Sequence, residues 1–197
     1  MSAGRQREFD KDLALDNAME LFWRDGYNGT SLSDLTSAMG INKPSLYAAF
    51  GNKESLFVSA LNQYVVKHGS PHFNLLFVAD TNLKQRLTNY LKSIAKMLAD
   101  PKLPGGCFVT TSTCEAGSHS LPEDAVITIK KINKATTKAF IDFFVNEEQQ
   151  DNLTSTSSAE VLANYFLTLQ YGLAVMARNG TKRSTLDKVI EHSVSIF

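Results

Sequence analysis

Apolar positions recur at steps of three and four residues nearly everywhere along the chain, and no run of alternating apolar and β-branched residues marks a sheet. The expected fold class is all-α, with about nine helices. Between residues 8 and 25, Ala14, Ala18, Leu21 and Phe22 form one stripe, and Gly26 follows where a helix end wants a residue that tolerates positive φ. Ser31 and Asp34 have the spacing of a capping box and open a short helix that closes at Gly40. Pro44 suits the first turn of another short helix running to about Phe50, because a first-turn proline forfeits no hydrogen bond. Longer helices are expected near 53–68, 82–99, 106–117, 123–147, 157–178 and 184–196. Turn signals divide them, notably His68-Gly69-Ser70-Pro71, Pro104-Gly105-Gly106 and Asn179-Gly180. Residues 72–81 fit either a helix or a loop. The chain thus divides into a three-helix head, residues 1–53, and a helical body, residues 54–197. With no linker between them, head and body are expected to move as coupled parts.

Leu32, Leu35, Met39, Ile41, Leu46 and Phe50 are spaced to hold residues 30–50 as a helix-turn-helix, and Ala18, Leu21, Phe22 and Leu56 would complete its core. The second helix of the pair would then expose its N-terminal end and one face, carrying Lys43, Ser45, Tyr47 and Ala48. Lys43 suits a phosphate and the Ser45 hydroxyl a base edge or phosphate. Tyr47 offers a ring and hydroxyl to the backbone, and Ala48 is small enough to settle against a thymine methyl. Lys53 and the free amides around it suit one more phosphate. Arg5 and Arg7 form either a basic arm or a plain tail. Short helix pairs with a glycine turn also occur in all-α proteins that never touch DNA, and the pattern alone leaves both readings open.

Composition changes this picture little. The 197 residues are 43% hydrophobic and 20% charged, enough for a packed core and too few charges for a disordered chain. Twenty basic and 20 acidic groups cancel, so net charge gives no hint of a polyanionic partner. Even residues 1–55 hold six basic and eight acidic groups, so the head as a whole carries no excess of cations. A charged start and no run near the ~18 apolar residues of a membrane span point to a cytoplasmic protein without a membrane partner.

Two cysteines are too few for a disulfide scaffold and lack zinc-site spacing. Cys107 follows Pro104-Gly105-Gly106 at an expected helix start, where reactivity toward oxidants or electrophiles is favoured. Cys114 lies seven residues on, about 10 Å along a helix axis and too far for a bridge. Inert, buried thiols are the other reading. Glu115 and His119 suit a helix-end pair rather than a metal site. Phe73, Phe77, Phe108, Phe140, Phe143, Phe144, Tyr165 and Phe166 suit either a ligand cavity or ordinary core. Leu162, Phe166, Leu169, Leu173 and Met176, with Val189 and Ile190 near the end, form stripes suited to a dimer interface or to an internal core. No metal or cofactor is expected. Nor is an enzyme, since the sequence has no nucleophile–base pair at a recognisable spacing, no phosphate loop and no metal box. A cysteine-based redox enzyme and a helical interaction module without DNA binding stand as the alternatives.

The stretch Gly26-Tyr27, Thr30-Ser31-Leu32, Asp34-Leu35, Gly40 through Phe50 and Lys53-Glu54-Ser55-Leu56 resembles the DNA-binding domain of TetR-family transcriptional regulators. Thr36, where that family commonly has alanine, is a small departure. The resemblance implies a homodimer whose recognition helices enter successive major grooves of a palindromic operator, repressing until a small molecule or reactive species is sensed in the body. By position Thr30, Lys43, Ser45, Tyr47 and Lys53 would carry over as DNA contacts. Gly106-Cys107-Phe108 followed by Glu115 is similar to a helix start in a subgroup that includes electrophile and redox sensors, which makes Cys107, Phe108 and Cys114 candidates for sensing.

Overall fold

The computed structural model describes residues 9–153 and 155–197, and the described residues hold nine α-helices of eight residues or more and no strand. The head comprises α1 (Lys11–Asp25), α2 (Leu32–Met39) and α3 (Lys43–Phe50). α4 (Lys53–Tyr64) leads into the body, formed by the single turn α5 (Ser70–Phe73), α6 (Leu83–Leu98), α7 (Phe108–Ala116), α8 (Glu123–Gln149), α9 (Ala159–Arg178) and α10 (Arg183–Ser193). No helix among the described residues is long and apolar enough to cross a membrane.

Local chemistry sets the boundaries. α1 was expected from residue 8, which lies outside the described residues. It starts at Lys11 because the Asp10 carboxylate accepts from the amides of Asp12 and Leu13, each at 3.0 Å. The Ser31 hydroxyl accepts from the Asp34 amide at 3.1 Å, and the Asp34 carboxylate accepts from the Ser31 amide at 2.9 Å, completing the capping box. Such a cap stabilises a short helix by about 1 kcal/mol. Gly40, at φ 66° and ψ 27°, turns the chain in the left-handed region that a side chain at this position would resist.

The break expected at residues 68–71 is absent. α4 widens into a π-helical turn, Val65–Gly69, and continues through α5 into a 3-10 turn, Asn74–Phe77. Pro71 lies in the first turn of α5, where its missing amide interrupts nothing, so the helical path survives a sequence that reads as a stop. Residues 72–77 are therefore helical, and the chain becomes extended only at Val78.

Two apolar clusters form the interior. One runs from Ala18, Phe22, Leu35, Leu46 and Phe57 of α1–α4 into Phe108 and Val109 of α7 and Ala125 and Ile129 of α8. The other joins α6, the C-terminal half of α8, α9 and α10 around Tyr90, Phe140, Phe144 and Phe166. The second is tied by a buried ion pair in which the Arg86 guanidinium donates to both Glu147 carboxylate oxygens at 2.8 and 2.6 Å, and to the Leu76 carbonyl at 2.7 Å. Removing one partner of such a pair strands a buried charge, at a cost of about 3–5 kcal/mol.

Candidate nucleic-acid interface and effector cavity

α2 and α3 cross at the Gly40 turn, with Leu35, Met39, Leu46 and Phe50 buried between them and against Ala18, Leu21, Phe22 and Leu56. Asn42 accepts from the Ser45 amide at 2.9 Å and caps α3. The sequence reading left this residue as part of the turn, although asparagine directly before a proline-bearing first turn is a cap signal. The outward face of α3 presents Lys43, Pro44, Tyr47 and Ala48, all exposed, with Ser45 half-buried.

Two expected contacts are placed differently. Thr30 is buried, and its hydroxyl donates to the Gly26 carbonyl at 2.8 Å, closing the turn between α1 and α2. Lys53 is half-buried with its ammonium 4.2 Å from the centre of the Tyr27 ring, and burial lowers its pKa. Lys11, not singled out from the sequence, brings its ammonium to 5.2 Å from the Phe50 ring at the end of α3, a juxtaposition only the fold creates. Arg5 and Arg7 lie outside the described residues.

In the body, α4, the π turn, α6, α7, α8 and α9 enclose a cavity of about 410 Å³, within the size range of small-molecule sites. Phe73 and Phe140 line it; Phe143, Phe144 and Phe166, also considered as lining, pack into the core instead. Cys107, the residue that caps α7, is half-buried in the wall, whereas Cys114 is exposed and not part of the lining. Phe108 is buried behind the cavity, edge-on to Phe57 and Tyr64. Desolvation lowers the pKa of His68, which lines the cavity, and among the described residues no Asp, Glu, Lys or Arg side chain lines it. Glu115 points at Gly26 rather than at His119.

The cavity is wired to the head. Trp23 of α1 stacks edge-on against Tyr64 at 4.9 Å and lies 5.3 Å from His68, while its indole donates to the Gly105 carbonyl at 3.1 Å. Arg178 of α9 donates to the carbonyls of Trp23 at 3.0 Å and Arg24 at 2.7 Å, where a cation also opposes the negative end of the α1 dipole.

The expected dimer residues divide. Leu162, Phe166, Leu173 and Ile190 are between 0 and 2% exposed in the single chain, consumed by its own core. Leu169, Met176 and Val189 sit half-buried at the edge. What α9 leaves uncovered is a stripe of Val161, Thr168, Gly172 and Val175.

A helix-turn-helix head on an all-helical body, with a largely apolar cavity beside the contacts that join the two, defines the class of one-chain DNA-binding regulators. The comparisons agree. Residues 14–60 match the model of the bacterial regulatory proteins of the tetR family. The chain is 31% identical to the transcriptional repressor ComR of Escherichia coli over 190 residues, 96% of this chain and 88% of ComR. It is also 31% identical to the repressor BdcR of the same organism, over 90% of this chain and 83% of BdcR. A cysteine-substituted form of the TetR-family regulator CifR, solved with a 26-bp double-stranded operator, superposes with a TM-score of 0.84 at 32% identity, covering 97% of this chain and 98% of CifR. The chain belongs to the TetR family.

Proposed function

We propose that this protein is a homodimeric transcriptional repressor that binds a palindromic operator through α3 and releases it when a small molecule enters the body cavity. Residues 1–53 read the DNA and residues 54–197 sense and dimerise, in the cytoplasm where the operator lies. The carrying observation is the free face of α3. Its capped end and buried Leu46 and Phe50 leave Lys43, Tyr47 and Ala48 facing outward, the arrangement a major-groove helix needs. Lys43 and Lys53 take phosphates, Ser45, Tyr47 and Ala48 meet the groove, Arg5 and Arg7 supply a basic arm, and Thr30 holds the start of α2 in place. Two copies join through the uncovered stripe of α9 and its neighbour α10.

A salt-titrated shift assay on the DNA upstream of the protein's own reading frame tests this. Binding is expected to weaken with salt, and Lys43→Ala to lower the slope of log affinity against log salt by about one per protomer. Absence of salt-sensitive binding, both there and in a selection from genomic fragments, removes the reading.

A further inference from the structure

The cavity wall contains a buried hydroxyl without a hydrogen-bond partner. Tyr64 is 3% exposed and lines the cavity, and its phenol oxygen has no hydrogen-bond partner. The Cys107 thiol and the Phe108 amide are its polar neighbours, and neither completes a hydrogen bond to it. A buried hydroxyl without a partner is costly, and its presence asks for a use. Packing does not supply one: phenylalanine would give the same ring for the edge-on contacts with Trp23 and Phe108. Burial holds the phenol protonated, its pKa well above the usual value, so what it offers a partner is a hydrogen. The other buried phenol of the wall is occupied, since Tyr90 donates to the Gln170 side-chain oxygen at 3.3 Å.

The rest of the wall restricts what meets that donor. Ile94, Leu98, Val109, Phe140 and Leu167 make it predominantly apolar, and no Asp, Glu, Lys or Arg lines it. A charged ligand would forfeit its hydration there without a counter-charge. We propose that the cavity takes an uncharged, mainly apolar molecule whose carbonyl or ether oxygen accepts the hydrogen bond of Tyr64 Oη. This rests on the reading of the body as an effector domain and specifies the chemistry of its ligand. A molecule held by Tyr64 lies one ring away from Trp23, so its arrival acts on the far end of α1.

Trp23 is the only tryptophan in the chain, and its fluorescence reports on the site without any DNA present. The full-length protein and Tyr64→Phe are titrated with probes of about 10–15 non-hydrogen atoms in matched forms. One such set is 4-phenylcyclohexanone, phenylcyclohexane, 4-phenylcyclohexanecarboxylate and 4-phenylcyclohexylamine. Ketones are expected to give a saturable change that Tyr64→Phe weakens about tenfold, whereas hydrocarbon affinities stay the same in both proteins. The carboxylate and the ammonium form should bind more weakly than the ketone of their set. Because the deleted hydroxyl has no partner, the melting temperature of Tyr64→Phe should not fall. Equal ketone affinity in the two proteins overturns the proposal, as would occur if the phenol only held water. A charged form that outbinds its ketone, or no saturable signal from any neutral carbonyl probe, does so as well. If Tyr64→Phe fails to fold, the charge comparison on the unaltered protein still decides. Operator binding is measured separately, so a failed repressor reading leaves the ligand result standing, and the reverse holds too.

Discussion

Thr30 stands where a DNA-contacting side chain was expected, yet its hydroxyl is committed to the Gly26 carbonyl. Position along a motif cannot reveal such a commitment, because a threonine beside a glycine turn reads the same whether its hydroxyl points out or back. Lys43, Tyr47 and Ala48 were legible, since a helix of two turns with Leu46 and Phe50 inward must turn those three outward. Single residues of the body were harder to read. Cys107 caps α7 and Cys114 lies within it, and only the fold puts the first in the cavity wall and the second outside. If a reactive species is the signal, Cys107→Ser should bind the operator as before and resist release by hypochlorite or an electrophilic aldehyde. Cys114→Ser should behave like the parent, and unchanged release of Cys107→Ser in a shift assay would end the role of that thiol.

Among the elements, the short helices were legible because their signals are local: a capping box, a first-turn proline and a glycine stop act within one turn. The π turn was not, since Gly69 and Pro71 read as a stop and only packing of the following turns carries the helix through. Periodicity likewise gave α9 and α10 their apolar faces without saying what covers them. Leu162, Phe166 and Leu173 turn out to fill the chain's own core, and Val161, Thr168, Gly172 and Val175 stay exposed, free for the partner proposed above. A Cβ built on Gly172 meets nothing within 4 Å, so the protomer has no steric need for a glycine there. Gly172→Glu is therefore expected to melt within a few degrees of the parent as a folded chain. Its light-scattering mass should nevertheless fall to that of one protomer, and operator affinity should drop at least tenfold, because two half-sites are no longer held together. A dimeric Gly172→Glu protein would place the interface elsewhere.

For the whole molecule, the division at residue 53 follows the chain but not the packing, because one apolar cluster runs from α1 through α4 into α7 and α8. Gly106 marks how closely the parts approach. It takes φ 66°, and a Cβ there would lie 2.9 Å from Arg178 Cβ and 3.1 Å from the Ala174 carbonyl. Arg178, from the same stretch of α9, holds the last carbonyls of α1. Head, cavity and α9 thus meet within one small region, and Arg178→Ala should loosen it. We expect that variant to fold and to bind operator, but to lose about 0.5–2 kcal/mol of the coupling between ligand and DNA. The measured quantity is the ratio of operator affinities with and without a ligand, and an unchanged ratio would exclude this route. The sequence alone determined the helices, the helix-turn-helix and the outward face of α3, because each depends on residues within a few positions of one another. The tertiary structure decided which apolar face belongs to the core and which stays uncovered. It also brought Tyr64 and Cys107 into one cavity wall and set Trp23 against Tyr64, since those contacts join residues far apart in the chain and exist only once the helices are packed.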